Sequence, residues 1–185
     1  MGVGPLLAQG SADPGDVQPP RFLPRLEWEL TAHFNWVDGR VATGTYRSGN
    51  RIHNEIAGGE FRGPRLRGRI LPGGGDWATM TPATEEFGKP AGPNRFIAFD
   101  ARYIFETDDG ESIYVVNVGG LGAGPEAQAE RRVPKGGPVY AVSQPRFDVR
   151  TDSRYAFLGR NIFVAFSVGR PADTMMHVFR ATLGG

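Results

Sequence analysis

Cysteine is absent from the 185 residues. Disulfides, thiolate catalysis and cysteine-based metal sites are therefore excluded, and the redox compartment is left open. An excess of either charge is absent too. Lys and Arg number 21 against 20 Asp and Glu, a formal net charge of +1, without the basic surplus of a dedicated nucleic-acid binder. No apolar run approaches the roughly 20 residues of a bilayer-spanning helix, so neither nucleic acid nor membrane is an expected partner. The three histidines, His33, His53 and His177, lie far apart with no paired spacing, and no bound metal is expected. Nucleotide and hydrolase signatures are missing as well. Gly119-Gly120-Leu121-Gly122-Ala123-Gly124 fails the G-x-G-x-x-G spacing and opens no helix, Gly88-Lys89 runs into proline, and there is no G-x-S-x-G elbow.

What the chain has in quantity is glycine (27) and proline (15), with 11% aromatic residues to supply buried area. No collagen period accompanies them, and turns of an all-β chain account for both. The length suits one domain. Residues 1–23 read as a disordered leader ahead of a β-barrel domain over 24–185. Leu6-Leu7-Ala8-Gln9-Gly10 is similar to the end of an export signal, but a basic n-region and a full h-region are lacking. The compartment is thus cytoplasmic, or periplasmic or secreted if the leader is a trimmed signal.

Alternation of period two recurs along the rest. Leu26, Trp28 and Leu30 alternate with Glu27 and Glu29, the pattern of a half-buried strand, and the run continues to Trp36. Asp38-Gly39 predicts a type I′ hairpin turn into a second strand, 41–47. Further strands are expected at 52–57, 65–71, 96–106, 112–118, 138–149, 160–168 and 175–183, with Asp109-Gly110 as another turn. About nine strands and no amphipathic helix indicate an antiparallel β-barrel, or a sandwich, of 8–10 strands. The connections 78–95 and 119–137 are too polar and too rich in Gly, Pro and Ala for core, and loops of that length tend to be functional or disordered.

The stretch GGEFRGPRLRGRILPGGGDW, residues 58–77, carries seven glycines. Arg65, Arg67 and Arg69 share a parity and read as a solvated basic face. Gly73-Gly74-Gly75 provides a bend where backbone takes positive φ or approaches closely. After it, Asp76 either aims at a cavity beside the indole of Trp77, partly desolvated and suited to acid–base work, or accepts turn hydrogen bonds while Trp77 plugs a barrel end. Phe99, Ala101, Tyr103 and Phe105 occupy one face of their strand; Asp100, Arg102, Ile104 and Glu106 occupy the other. In a barrel wide enough for a ligand, Arg102 faces the cavity and holds an oxyanion or pairs with Asp76; in a narrow one it points to solvent.

The string Gly58-Gly59-x-Phe61-x-Gly63-Pro64-x-Leu66-x-Gly68-x-x-Leu71-Pro72-Gly73-Gly74-x-Asp76-Trp77 resembles the signature of the DUF3237 family, also called UPF0311. Asp100-Ala101-Arg102-Tyr103, Thr107-x-Asp109-Gly110-x-x-Ile113, Pro145-x-Phe147, Tyr155, Leu158 and Asn161 follow in order, so the resemblance spans residues 24–183. It implies a compact lipocalin-like barrel, and that some members are cofactor-free enzymes, certain fungal ones similar to cyclases that close oxygen rings on polyketide-type aromatics. The longer 78–95 loop and the Pro-rich leader depart from the family pattern. The residues and the resemblance together lead to a cofactor-independent lyase, isomerase or cyclase acting on a small hydrophobic, oxygen-bearing molecule. In this reading Asp76 is general acid or base, Arg102 stabilises developing negative charge and Trp77 stacks on the substrate. Tyr103, Tyr155 and Asn161 orient ligand oxygens, and Arg47 and His53 line the opening. The alternative is a non-catalytic ligand-binding barrel with Asp76 and Arg102 as a structural ion pair. A homo-oligomer is compatible with either.

Overall fold

The computed structural model describes residues 24–39, 41–46, 49–81, 96–122, 139–169 and 173–183. They form ten strands: β1 (Pro24–Trp36), β2 (Val41–Tyr46), β3 (Gly49–Arg62), β4 (Arg67–Ile70), β5 (Gly75–Thr81), β6 (Phe96–Thr107), β7 (Ser112–Gly122), β8 (Val139–Asp148), β9 (Phe163–Gly169) and β10 (Asp173–Leu183). From β1 the order runs through β10, β9, β8 and β7 to β6. β4 and β5 then share one position, each pairing β3 on one side and β6 on the other. β3 pairs β1 and closes the ring. Every pairing is antiparallel, so the domain is a closed barrel of eight positions, with β2 added along the Gly49 end of β3. Eight positions leave an interior that side chains fill, or that holds one small ligand.

The two ends of the interior differ. Toward the base, where Thr107 and Glu111 frame the β6–β7 turn, large side chains fill the barrel. Phe61 stacks on Phe105 with centroids 4.3 Å apart, and Phe147 meets Phe163 edge-on at 5.0 Å. Leu30, Ile113 and Leu158 are buried with them. The segment after β8 covers this end through a 3-10 turn, Leu158–Arg160. Asn161 Nδ2 donates to the Phe157 carbonyl at 2.6 Å and Tyr155 OH donates to Asp109 Oδ1 at 2.9 Å. Arg65 pairs with the buried Glu29, and its guanidinium carbon lies 3.7 Å from the Phe157 ring centroid.

Several local expectations are corrected. In LEWEL the anticipated face is kept only at Leu30. Leu26 and Trp28 are exposed, and an irregularity between Trp28 and Leu30 turns both Glu29 and Leu30 inward. The Asp38-Gly39 turn does not make a hairpin: Gly39 takes φ 92°, but β2 pairs β3 rather than β1. β3 is long enough, 14 residues, to hold β1 on one stretch of its edge and β2 on the next. The expected 65–71 strand contracts to β4, and β5 replaces the start of the supposed 78–95 loop. The Asp109-Gly110 turn does join paired neighbours, with Gly110 at φ 85°. Two glycines in the 58–77 stretch have clear causes. Gly73 turns the chain at φ 91°, and at Gly59 a Cβ would stand 2.0 Å from the His33 carbonyl oxygen, so β1 and β3 meet there only without a side chain.

Candidate functional site

Parity assigns the lining. On β5, Asp76, Ala78 and Met80 lie opposite Asn54, Ile52 and Asn50 of β3, and Ala78, Met80, Ile52 and Asn50 are buried. Asp76 therefore shares the inner face. Asn54 Nδ2 donates to its Oδ2 at 3.3 Å. On the other side Asp76 is opposite Ala101, Ala101 opposite Asn117, and Asn117 opposite Pro145. Ala101 is the only side chain in register between Asp76 and Asn117. At about 4.8 Å per strand step, roughly 10 Å separates their backbones.

One layer toward the base, Tyr103 spans the barrel. It stands on β6, and its hydroxyl lies 3.9 Å from Met176 Sδ on β10, four ring positions away and thus diametrically opposite. Phe34 meets it edge-on from β1 at 4.9 Å. These residues form a floor. Beneath it lies the aromatic core; above it the inward side chains are mostly small or polar, with Ala78, Ala101, Ala141, Ser143, Ala165 and Ser167 on the wall. Trp36 donates from its indole nitrogen to Thr174 Oγ1 at 3.0 Å in the same half. Of the inward residues here, Asp76, Asn54, Ile97 and Phe99 are partly buried, while Asn50, Ile52, Ala78, Met80, Asn117 and Ser143 are buried like those below the floor. This half of the interior, above the floor and toward the end where β5 stops and β6 begins, is the cup.

The residues singled out from sequence do not converge. Asp76 faces inward. Trp77, next in a regular pleat, faces outward, 50% exposed and stacked on His53 with centroids 4.1 Å apart. Arg102 also lies outside, its side chain 54% accessible, and donates to Asp100 at 3.1 and 3.2 Å. Those hydrogen bonds, with a further one to Tyr114, raise its pKa above the usual arginine value. For Arg102 to face the cavity, Phe99, Tyr103 and Phe105 on the opposite face of β6 would have to pack outward. They pack inward, because three large rings gain far more from burial than a guanidinium does. The sheet thus separates Asp76 from Arg102 and Trp77, and an Asp76–Arg102 pair is not formed. His53 belongs to the outer face as well.

Tyr103 lines the interior, and burial pushes its phenol pKa far up, so it stays protonated. Tyr155 and Asn161 belong to the base, some six strand residues, about 20 Å, from the layer of Asp76. Arg47 and most of the long connections, 82–95 and 123–138, lie outside the described residues. The Arg65, Arg67 and Arg69 stripe is laced with carboxylates, Arg67 Nε donating to Asp108 at 2.7 Å and Arg69 Nε to Glu106 at 2.8 Å. Among the described residues no group of three His, Asp or Glu side chains could hold a metal ion. His33 meets Asp173 at 2.9 Å and His177 meets Thr31 Oγ1 at 2.9 Å.

Sequence reasoning missed Asn54, Asn117 and Ser143. A signal for Asn117 was present: in SIYVVNV it falls at the position that extends Ile113 and Val115, a polar residue on an apolar parity.

Comparison with known proteins bears on the same residues. The family model described as "Protein of unknown function (DUF3237)" matches residues 24–181. A UPF0311 protein of Rhodopseudomonas palustris is 34% identical over 141 residues, covering 74% of this chain and 82% of that protein. A UPF0311 protein of Bradyrhizobium diazoefficiens shows the same identity and coverage. Among solved structures, a conserved protein of unknown function from R. palustris superposes with TM-score 0.70 at 26% identity, over 86% of this chain and 99% of that one. A β-barrel-like protein from Acinetobacter baumannii gives 0.70 at 24% identity, over 89% and 99%. An enzyme from Penicillium herquei gives 0.54 at 18% identity, over 90% and 99%, a likeness of fold.

Proposed function

The chain belongs to the DUF3237 family, and from that premise we propose that its barrel is a cofactor-independent enzyme of the lyase, isomerase or cyclase type. It takes a small hydrophobic, oxygen-bearing molecule, aromatic or polyketide-like, into the cup above Tyr103. The observation that carries this reading is the inward carboxylate of Asp76, held by Asn54 over an aromatic floor. Among the described residues above the floor it is the one ionisable side chain of acid–base range that faces the interior. A carboxylate in that position takes a proton from a substrate carbon or hydroxyl and returns it elsewhere on the same molecule, which is the whole requirement of an isomerisation or ring closure. The small wall residues admit a flat ring, and the Tyr103 phenol, kept neutral by burial, bounds its depth. The Penicillium herquei neighbour, itself an enzyme, is consistent with chemistry on this fold. In this proposal Arg102 and Trp77 have no catalytic part.

The test is a panel of hydroxylated aromatic and polyketide-like compounds incubated with wild type and Asp76→Asn, with products separated by mass. Wild type should convert at least one compound without added cofactor, and Asp76→Asn should slow that conversion by about 10²–10⁴-fold while still binding it. Binding without conversion across the panel would favour the ligand-carrier reading, and unchanged turnover in Asp76→Asn would remove Asp76 from the chemistry.

A further inference from the structure

The lumen holds two buried polar groups whose oxygens the fold leaves without partners. Asn117 and Ser143 are each only 5% exposed. Asn117 donates through Nδ2 to Met176 Sδ at 3.3 Å, a weak acceptor, and its Oδ1 has no hydrogen-bond partner. Ser143 Oγ has none either. Stranded polar atoms of this kind cost about 1–3 kcal/mol each, and a folded chain keeps two of them together only where something else completes them.

Their placement is specific. Asn117 lies opposite Pro145 and Ser143 lies opposite Gly119, so the two are diagonal neighbours on the inner face of β7 and β8, about 7–8 Å apart along the backbone. One oxygen placed between them reaches both. We infer that Asn117 and Ser143 form an oxygen-recognition subsite for a hydroxyl group of an uncharged ligand, which donates to Asn117 Oδ1 and accepts from Ser143 Oγ. The inference rests on the lumen being the binding site, as proposed above, and adds the ligand's class and the residues that select it.

Charge supports an uncharged ligand. Asp76 stands across Ala101 from Asn117, and among the described residues no Lys or Arg faces the lumen above the floor. The Asn117 amide and the Ser143 hydroxyl are themselves neutral, so the pair offers an anion no charge to meet. An ether or a bare hydrocarbon would leave Asn117 Oδ1 as unpaired as before. A hydroxyl satisfies both side chains at once, and the residues in register beside them, Ala101 next to Asn117 and Ala165 next to Ser143, are small.

Titration calorimetry with two neutral probes of one shape, 2-naphthol and 2-methoxynaphthalene, tests the subsite. Wild type should prefer 2-naphthol by roughly tenfold, the worth of one or two completed buried hydrogen bonds. Ser143→Ala and Asn117→Leu should each reduce that preference to about threefold or less, mainly by weakening 2-naphthol. Ser143→Ala should melt at or above the wild-type temperature, because it removes an unsatisfied buried oxygen and with it no hydrogen bond. Ser143→Ala deletes a single atom, so it serves even if Asn117→Leu fails to fold. Two probes that bind wild type equally, as when a bound water completes the pair, would overturn the subsite and leave the lumen reading standing. So would variants that keep the preference. If neither probe binds at millimolar concentration, the lumen reading falls and the subsite with it.

Discussion

Asp109, at the turn between β6 and β7, collects donors from three side chains. Thr107 Oγ1 lies 2.5 Å from its Oδ1, Tyr155 OH lies 2.9 Å from the same oxygen, and the Arg154 guanidinium lies 3.0 Å from Oδ2. The carboxyl is held below its ordinary range, first by the Thr107 hydrogen bond, then, against some desolvation, by the Tyr155 hydrogen bond and the Arg154 charge. Because the pKa is depressed in the fold, this stabilisation is fully present above the unfolded value, about 3.9, and is lost as pH falls through the lower folded one. Asp109→Asn should therefore flatten the acid limb of melting temperature against pH below about 4, with little change in that profile above pH 6. A variant whose acid limb matches wild type would refute this role for Asp109. Tyr155 thus bonds this turn, away from the layer of Asp76, although its sequence position suggested a ligand contact. Its hydroxyl is spent on a turn that only the tertiary fold brings near.

Among elements, the segment after β8 and the β3–β4 connection close the base together. Arg65 sits between them, on the carboxylate of buried Glu29 and over the ring of Phe157. Arg65→Ala strands a carboxylate inside the barrel. The expected loss is about 2 kcal/mol, under the roughly 3–5 of a fully buried pair because the guanidinium is part-exposed. Chemical denaturation should show it as a lower midpoint with an unchanged slope, and Arg65→Lys should recover only part, since a lysine offers no planar fork and stacks poorly. A midpoint within experimental scatter of wild type would contradict the assignment. Other elements differ in how far the sequence discloses them. β6 and β7 announce themselves by strict alternation and an Asp-Gly turn. β5 does not, because two glycines precede it, a third opens it, and its outward positions, Trp77 and Thr79, blur the pattern. Nor does the partner of β2, because a turn of hairpin chemistry fixes only direction; the length of β3 decides the pairing.

At the scale of the whole molecule, period two separates two faces of every strand but does not say which one the closed ring turns inward. In β6 the charged face, Asp100, Arg102 and Glu106, and the aromatic face both offered a plausible lining, and the volume of Phe105 and Tyr103 settled it. The barrel class was legible, and the inward placement of Asp76 was one of two readings; the company Asp76 keeps was not legible, since Asn54, Asn117 and Ser143 lie on other strands far away in sequence. The same inside–outside division distributes the tryptophans. Trp28 and Trp77 are exposed on the outer surface, while Trp36 bonds Thr174 in the upper half of the barrel. Quenching of intrinsic fluorescence by a lumen-bound ring should thus disappear in Trp36→Phe and survive in Trp77→Phe. Arg102→Ala should leave the titration unchanged. Loss of quenching in Trp77→Phe alone would place the ligand on the outer wall instead.

The pairing of β1 with β10, Pro24 against Leu183, carries a consequence for biogenesis. The ring has no closed form until Asp173–Leu183 has been synthesised, so a nascent chain leaving the ribosome carries β1 through β9 with two unsatisfied edges. Closure must then bring together segments about 150 residues apart, which makes for a slow, high-contact-order step. During that interval the exposed edges are templates for pairing with other chains, and dependence on chaperones is expected to be concentrated in the moments before the last strand arrives.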